Sequence, residues 1–80
     1  MHAFGCGLRL PAKDITAAAH EAGALVLLDG AQTAGHIVLD VREIDVDFYA
    51  VSGQKWLYGP TGTGALYVRR DRLPLLRPLF

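Results

Sequence analysis

A lysine directly follows an apolar segment, at a position where an unpaired ammonium group is costly to bury. Lys55 belongs to the stretch SGQKW at residues 52–56, which comes after a predicted strand at 47–51 and before a glycine-rich turn at 59–64. A partly desolvated lysine loses its proton more readily and can then attack a carbonyl group. The predicted chemistry is therefore nucleophilic, and an aldehyde cofactor is the expected target.

An aspartate ends a second apolar segment. Residues 24–28 read ALVLL, a run typical of a strand that is buried on both faces of a parallel sheet, and Asp29 follows it. Open α/β sheets bind ligands beyond the carboxyl ends of their strands, so Asp29 and Lys55 are expected at the same edge. Pyridoxal phosphate needs this pair: the lysine holds the cofactor as a Schiff base, and the acid keeps its pyridine nitrogen protonated.

Several motifs in the same order resemble the class V aminotransferase family, whose members include cysteine desulfurases, selenocysteine lyases and cysteine/cystine C–S lyases. The resemblance covers the chain from about Leu8 onward and rests on DGAQ at 29–32, His36, DVDFY at 45–49, SGQKWLYGP at 52–60 and GTGALYV at 62–68. It implies a pyridoxal-phosphate enzyme of fold type I that acts on an amino acid. It also implies a homodimer, because the sites of this family lie near a dimer interface.

The resemblance implies a role for each of five site residues. Lys55 would be the catalytic residue and would form the Schiff base, and Asp29 would pair with the pyridine nitrogen. Gln32 would hydrogen-bond the phenolic oxygen of the cofactor, and Ser52 would bind its phosphate. Gln54 stands where the desulfurase branch usually has histidine, and its amide can still donate to a phosphate oxygen. This departure keeps transamination open beside desulfuration and C–S lysis.

Each of these residues also has an ordinary structural interpretation. Asp29 could cap a helix after the strand, and Ser52 could cap the turn that follows it. Lys55 could be a solvated surface lysine, and polar residues such as Gln32 and Gln54 are common in turns. The order and spacing of the motifs favour the functional interpretation for Asp29, Gln32, Lys55 and Ser52, and both interpretations stay open for Gln54.

The remaining aromatic and histidine side chains are interpreted as structural. His36 is expected to form a hydrogen bond in the connection after the first strand, and His20 is expected to lie exposed on a helix. Trp56 and Tyr58 are expected to pack and so to fix the loop that carries the lysine.

The elements that must position these residues follow from hydrophobic patterning and turn signals. A helix is predicted at 13–22 with Gly23 as its stop, strands at 24–29, 47–51 and 64–69, a turn or short helix at 30–35 and a helical turn at 41–44. A short helix at 71–76 is limited by two prolines.

The connection between the second and third strands is too short for a crossover helix, so the third strand is expected to be antiparallel. The predicted fold class is α/β, a three-layer piece of the large domain of a fold type I pyridoxal-phosphate transferase. Its sheet is expected to be mostly parallel with one antiparallel strand.

The length of 80 residues allows one small domain, which we interpret as the central segment of a cofactor-binding domain over residues 1–80. Two strands that look buried on both faces have only one convincing helix to cover them, so the isolated chain is expected to be marginally stable, to associate, and to be inactive. A non-catalytic truncated fragment is therefore the alternative to an enzyme segment.

Composition excludes several other classes of function. The 8 basic and 8 acidic residues balance, which gives no indication of a nucleic-acid or membrane partner, and a cytoplasmic location is the expectation. The histidines and Cys6 are scattered over different elements, so no metal site is predicted. Cys6 is expected to be a small half-buried residue. It lies upstream of the lysine, whereas the catalytic cysteine of desulfurases lies downstream.

Overall fold

The computed structural model describes residues 7–79, so Cys6 and the segment before it lie outside the described residues. The chain forms, in order, helix α1 (Ala12–Glu21), strand β1 (Leu27–Asp29), helix α2 (Val41–Ile44), strand β2 (Phe48–Ser52), strand β3 (Gly64–Val68) and a 3₁₀ helix (Arg70–Leu75).

The three strands form one sheet in the order β1-β2-β3. Strands β1 and β2 are parallel, and Asp29 pairs with Ala50. Strand β3 is antiparallel to β2, and Ser52 pairs with Gly64. The predicted α/β class, with parallel strands and one antiparallel strand, is confirmed, and β1 and β2 end on the same side of the sheet. We call that side the carboxyl edge and the opposite side, where the two strands begin, the amino edge.

The end of α1 and the beginning of α2 are each explained by a neighbouring residue. Helix α1 ends before Gly23, which adopts the left-handed φ of 78° and donates its N–H to the carbonyl of His20. Helix α2 begins after Asp40, whose side chain accepts hydrogen bonds from the N–H groups of Arg42 and Glu43. Helix α1 therefore lies within one residue of its predicted bounds. The short helix predicted at 71–76 is a 3₁₀ helix, with Pro74 inside it.

The apolar core lies on one face of the sheet, where both helices cover it. It consists of Ala12, Val26, Leu28, Val46 and Tyr49, with side chains of α1 and α2 packed around them. Residues of β1 alternate in burial, as expected when one face of a strand is covered.

The prediction that the strand at 24–29 is buried on both faces is wrong for the described residues. Leu27 of β1 is 60% exposed, because within residues 7–79 the helices that pack on the core cover the other face. Strand β1 is also shorter than the predicted 24–29. The N–H of Val26 donates to the carboxylate of Asp47 instead of joining the ladder of the sheet.

A buried carboxylate joins several elements at the amino edge. Asp47 is fully buried and accepts hydrogen bonds from His20 Nε2 at 2.7 Å, Arg72 Nε at 2.8 Å and the N–H of Val26 at 2.8 Å. Arg69 Nη2 lies 3.3 Å from the same carboxylate. His20 is therefore not the exposed helix residue that the sequence predicted, because its position on α1 faces this acid.

These contacts determine the ionisation of Asp47. Burial by itself raises the pKa of the carboxyl group, but the hydrogen bonds from His20, Arg72 and Val26 outweigh burial and hold its pKa well below the ordinary value. The carboxylate is therefore ionised in the folded protein.

Two threonines are fully buried, and they differ in whether the side-chain hydroxyl makes a hydrogen bond. Thr16 Oγ1 makes no hydrogen bond within residues 7–79, whereas Thr33 Oγ1 donates to the carbonyl of Gly30 and lies 2.6 Å from the Tyr49 hydroxyl. We expect Thr16→Val to raise the free energy of unfolding by about 1 kcal/mol, since valine keeps the shape without an unpaired hydroxyl. Thr33→Val should lower it by about 1–2 kcal/mol. Urea unfolding measures both, and equal signs would contradict the prediction.

Asp47→Asn should lower the free energy of unfolding at neutral pH by about 2 kcal/mol, because charge-assisted hydrogen bonds are lost in a buried position. The folded-state pKa of Asp47 is depressed, so its stabilisation is complete above the unfolded pKa of about 3.9 and is lost as pH falls through the folded pKa. The difference between wild type and variant should therefore shrink as pH falls below about 4.

Urea unfolding at a series of pH values measures this difference. Asp14→Asn is the control, because Asp14 is exposed in the first turn of α1, and its effect should stay within about 0.5 kcal/mol. A constant difference between wild type and the Asp47 variant down to acidic pH would show that ionisation is not the cause.

Candidate functional site

The ends of the two parallel strands bring polar side chains to the carboxyl edge. Asp29 is the last residue of β1, and Ser52 is the last residue of β2. Asp29 pairs with Ala50. The next residue, Gly30, donates its N–H to the carbonyl of Ala50 at 2.7 Å. The predicted shared edge is thus confirmed for the strand ends, with Asp29 exposed and Ser52 half-buried.

The segment after β1 is a compact turn anchored to β2. Asp29 Oδ1 accepts the N–H of Ala31 at 2.9 Å, so one carboxylate oxygen stabilises the turn. Thr33 fixes the turn to Tyr49 through the hydrogen bond between their hydroxyls. At Gly30 a side chain would overlap the ring of Tyr49, which explains the glycine. Gln32 is held between these anchors.

The segment after β2 carries the lysine and folds back on itself. The N–H of Tyr58 donates to the carbonyl of Lys55 at 3.0 Å, and the N–H of Gly59 donates to the carbonyl of Gly53 at 2.6 Å. Gln54 Oε1 accepts the N–H of Gly62, which attaches the lysine loop to the glycine-rich turn. The Gln54 oxygen is therefore occupied by the fold, while its amide N–H groups make no hydrogen bond within residues 7–79.

The two segments contact each other through aromatic rings. Trp56 Nε1 donates to Gln32 Oε1 at 3.1 Å, and the indole stacks on the imidazole of His36 with 4.1 Å between ring centroids and 13° between planes. His36 Nδ1 lies 3.3 Å from the carbonyl oxygen of Gln32, as predicted for a hydrogen bond in this connection. The packing role of Trp56 is confirmed. Tyr58 is 89% exposed, and the prediction that it packs is wrong because the turn leaves it in solvent.

Within residues 7–79, the predicted site residues are linked through strand pairing and neighbouring residues rather than through hydrogen bonds to one another. Asp29 and Ser52 share the carboxyl edge, and Gln32 contacts the residue that follows Lys55. Within residues 7–79, Lys55 Nζ makes no hydrogen bond or ion pair, and Lys55 is exposed. The sequence did not predict that Trp56 would bind Gln32. The only available signal was an indole N–H that needs an acceptor when it is partly buried.

The described part of the chain has neither a cluster of metal-ligating side chains nor a membrane-spanning helix. Residues 7–79 contain no group of three or more histidine, cysteine, aspartate or glutamate side chains that could hold a metal ion. None of their helices is long and apolar enough to cross a membrane.

The chain belongs to the class V aminotransferase family. The profile of that family, described as Aminotransferase class-V, matches residues 5–80. Enzymes of this family and its cysteine desulfurases depend in general on pyridoxal phosphate.

Proteins similar to this chain include cysteine desulfurases. The chain is 53% identical over 72 residues to a cysteine desulfurase of Enterobacter sp. (strain 638). The matched region covers 90% of this chain and 18% of that relative. The crystal structure of the cysteine desulfurase CsdA from Escherichia coli superposes with a TM-score of 0.76 and 46% identity, over 84% of this chain and 16% of that one.

The apo structure of the cysteine desulfurase from Thermococcus onnurineus NA1 gives a TM-score of 0.85 and 34% identity, over 91% of this chain and 18% of that one. The chain therefore spans less than a fifth of the length of these three relatives.

Close packing of the two segments can be tested at Gly35. Its φ is 79°, and an added Cβ would lie 2.7 Å from the carbonyl oxygen of Trp56, whereas Gly23 has a φ of 78° and open space around it. Gly23→Ala should lower the free energy of unfolding by about 1–2 kcal/mol, the cost of a left-handed conformation alone. Gly35→Ala should lower the free energy of unfolding by more, because the turn after β1 and the lysine loop must move apart to make room for the added Cβ.

The fluorescence of Trp56, the one tryptophan in the sequence, reports this separation locally. Acrylamide should quench it more strongly in Gly35→Ala than in wild type, and Gly23→Ala should leave quenching unchanged. Equal quenching in all three proteins would show that contact with Trp56 is not what requires glycine at residue 35.

Proposed function

We propose that this chain is the central segment of a cofactor-binding domain in a pyridoxal-phosphate enzyme similar to cysteine desulfurases or cysteine C–S lyases. Its substrate would be a sulfur-containing amino acid. Lys55 would be the catalytic residue, and the cofactor would also contact Asp29, Gln32, Ser52 and Gln54. A homodimer in the cytoplasm belongs to the same proposal, on the basis of the family resemblance.

The observation that carries the proposal is the packing of the lysine loop against the segment that follows Asp29. The hydrogen bond from Trp56 to Gln32 joins these two segments next to Lys55. Because β1 and β2 are parallel, the two segments that follow them begin at the same edge of the sheet. Open α/β sheets place their ligands at such an edge. Identities of 34–53% to cysteine desulfurases support the choice of reaction class.

The free polar groups at the edge fit the cofactor in chemical type. Within residues 7–79, no hydrogen bond occupies Asp29 Oδ2, the Gln32 and Gln54 amide N–H groups, the Ser52 hydroxyl or Lys55 Nζ. Asp29 offers an acceptor for a protonated pyridine nitrogen. The two amides and the hydroxyl offer donors for phenolic and phosphate oxygens. Lys55 offers an amine for the aldehyde.

Pyridoxal phosphate, when bound, supplies an electron sink that allows a bond at the α-carbon of an amino acid to break. The Asp29 carboxylate would keep a proton on the pyridine nitrogen, since an opposite charge nearby favours the charged form. Ser52 and Gln54 would hold the phosphate. The Lys55 amine would move a proton to and from the substrate α-carbon as a general acid and base.

Gln54 favours a second candidate function, transamination. The desulfurase branch usually has histidine at this position. Products distinguish the reactions. Desulfuration of cysteine leaves alanine and passes the sulfur to an acceptor thiol as a persulfide. C–S lysis of cysteine releases hydrogen sulfide, pyruvate and ammonia, and transamination passes the amino group to a 2-oxo acid. Alanine formation from cysteine is the expected result.

The sequence contains two lysines, which gives a matched test of the catalytic assignment. In the full-length protein that contains this segment, incubation with pyridoxal phosphate and reduction with borohydride should attach the cofactor to Lys55, as read by peptide mass spectrometry. Lys55→Ala should lose this label and all turnover. Lys13→Ala should keep both, because Lys13 is exposed on α1 and pairs with Glu43. No label on the wild-type protein, or a label on Lys13 alone, would overturn the proposal.

Asp29→Ala tests the second half of the pair. It should retain less cofactor and lose at least about 100-fold in rate, since the electron sink depends on a protonated ring. Asp40→Ala is its control, because Asp40 caps α2 and takes no part in the site. A normal rate in Asp29→Ala would contradict the assignment of Asp29.

A further inference from the structure

Gln32 is held at two points by two rings that also contact each other. The indole of Trp56 donates to its side-chain oxygen at 3.1 Å, and Nδ1 of His36 lies 3.3 Å from its backbone oxygen. The two rings stack at 4.1 Å and are nearly parallel, at 13°. Both rings thus support one glutamine that comes three residues after Asp29.

We infer that Trp56 and His36 form a clamp that positions the Gln32 amide for the cofactor. Trp56 is then a positioning residue that acts through Gln32, and His36 supports its ring. This inference rests on the proposed function, since its purpose is the orientation of a donor toward bound pyridoxal phosphate.

The chemistry of the amide explains why an indole suits this position. A glutamine amide has an acceptor side and a donor side, and rotation by 180° exchanges them. The indole N–H is only a donor, so it accepts no hydrogen bond from the amide nitrogen. Trp56 therefore selects the orientation in which Gln32 Oε1 faces the ring, and both N–H donors of Gln32 remain for a ligand.

The phenolic oxygen of pyridoxal phosphate is the group that needs such a donor. It carries negative charge when ionised, and a hydrogen bond from Gln32 stabilises that charge. A freely rotating amide would present its oxygen to the phenolic oxygen for part of the time, which is repulsive. The clamp removes this alternative before the cofactor binds, which is preorganisation of the binding group.

Contacts on the two sides of the turn hold the clamp in place. Gly35 approaches the backbone of Trp56 so closely that an added Cβ would lie 2.7 Å from its carbonyl oxygen. Thr33 fixes the other side of the same turn to Tyr49. Gln32 therefore lies in a segment that is held at both ends, and Trp56 lies 24 residues further along the chain.

The first experiment needs no cofactor. In an NMR spectrum of ¹⁵N-labelled protein, the indole N–H signal of Trp56 is assigned by its disappearance in Trp56→Phe. In Gln32→Leu this signal should move and its exchange with solvent should become faster, because the acceptor is gone. Asp14→Asn, at an exposed position in the first turn of α1, is the control and should leave the signal in place. An unchanged indole signal in Gln32→Leu would overturn the clamp.

The second experiment measures the pH midpoint of the visible absorbance of bound pyridoxal phosphate. Loss of the donor makes the phenolic oxygen more basic, so the bound cofactor keeps its proton to higher pH. Gln32→Leu should raise the midpoint by about one pH unit, as expected for loss of a hydrogen bond to a charged group. Trp56→Phe keeps an aromatic ring against His36 and should raise the midpoint by roughly half as much.

A double mutant distinguishes positioning from a general structural effect. In the Gln32→Leu background, Trp56→Phe should cause no further shift, because it acts only through the glutamine. Tyr58→Phe removes a hydroxyl from the exposed ring two residues away and should leave the midpoint unchanged. Additive shifts of Gln32→Leu and Trp56→Phe would overturn the clamp while the proposed function stands.

The two proposals fail in different ways. Absence of bound cofactor on wild-type Lys55 would overturn the proposed function, and the role of the clamp toward the cofactor with it. A labelled Lys55 together with a midpoint that Trp56→Phe does not move would overturn the clamp alone.

Discussion

The buried carboxylate of Asp47 is the contact on which the arrangement of the other elements depends. It receives hydrogen bonds from His20 on α1, from the backbone just before β1 and from Arg72 in the 3₁₀ helix. A buried charge is tolerated only when it is paired and hydrogen-bonded, so every one of these elements must keep its place for the acid to remain satisfied. At the amino edge of the sheet, one buried carboxylate therefore connects α1, the start of β1 and the 3₁₀ helix.

The carboxyl edge has the opposite character. Its polar groups are exposed or half-buried, and several make no hydrogen bond within residues 7–79. The contacts that exist there fix the backbone of the two loops and the orientation of Gln32, and they leave donors and an amine available. Charge is satisfied internally at one edge, and hydrogen-bonding groups are left without partners within residues 7–79 at the other. This division is what parallel strands make possible, because all their carboxyl ends lie together.

One face of the sheet is uncovered within residues 7–79, and the greater length of the relatives bears on this feature. Leu27 and Leu66 are half or more exposed on the face opposite the helices. Exposed apolar surface of this kind favours contact with further protein. The three relatives compared above are more than five times as long as the portion that this chain matches. A test of activity therefore belongs in the protein in which this face is covered.

The sequence by itself determined the class of fold, the antiparallel third strand and the edge at which Asp29 and Ser52 meet. Apolar runs, the stop at Gly23 and the shortness of the connection before β3 are local properties, and local properties can be read from neighbouring residues. Tertiary structure alone decided that His20 binds Asp47 and that Trp56 binds Gln32, across 27 and 24 residues of chain. It also decided which face of β1 is covered. Side chains alternate between the two faces of a strand, and only packing against other elements selects the face that is buried.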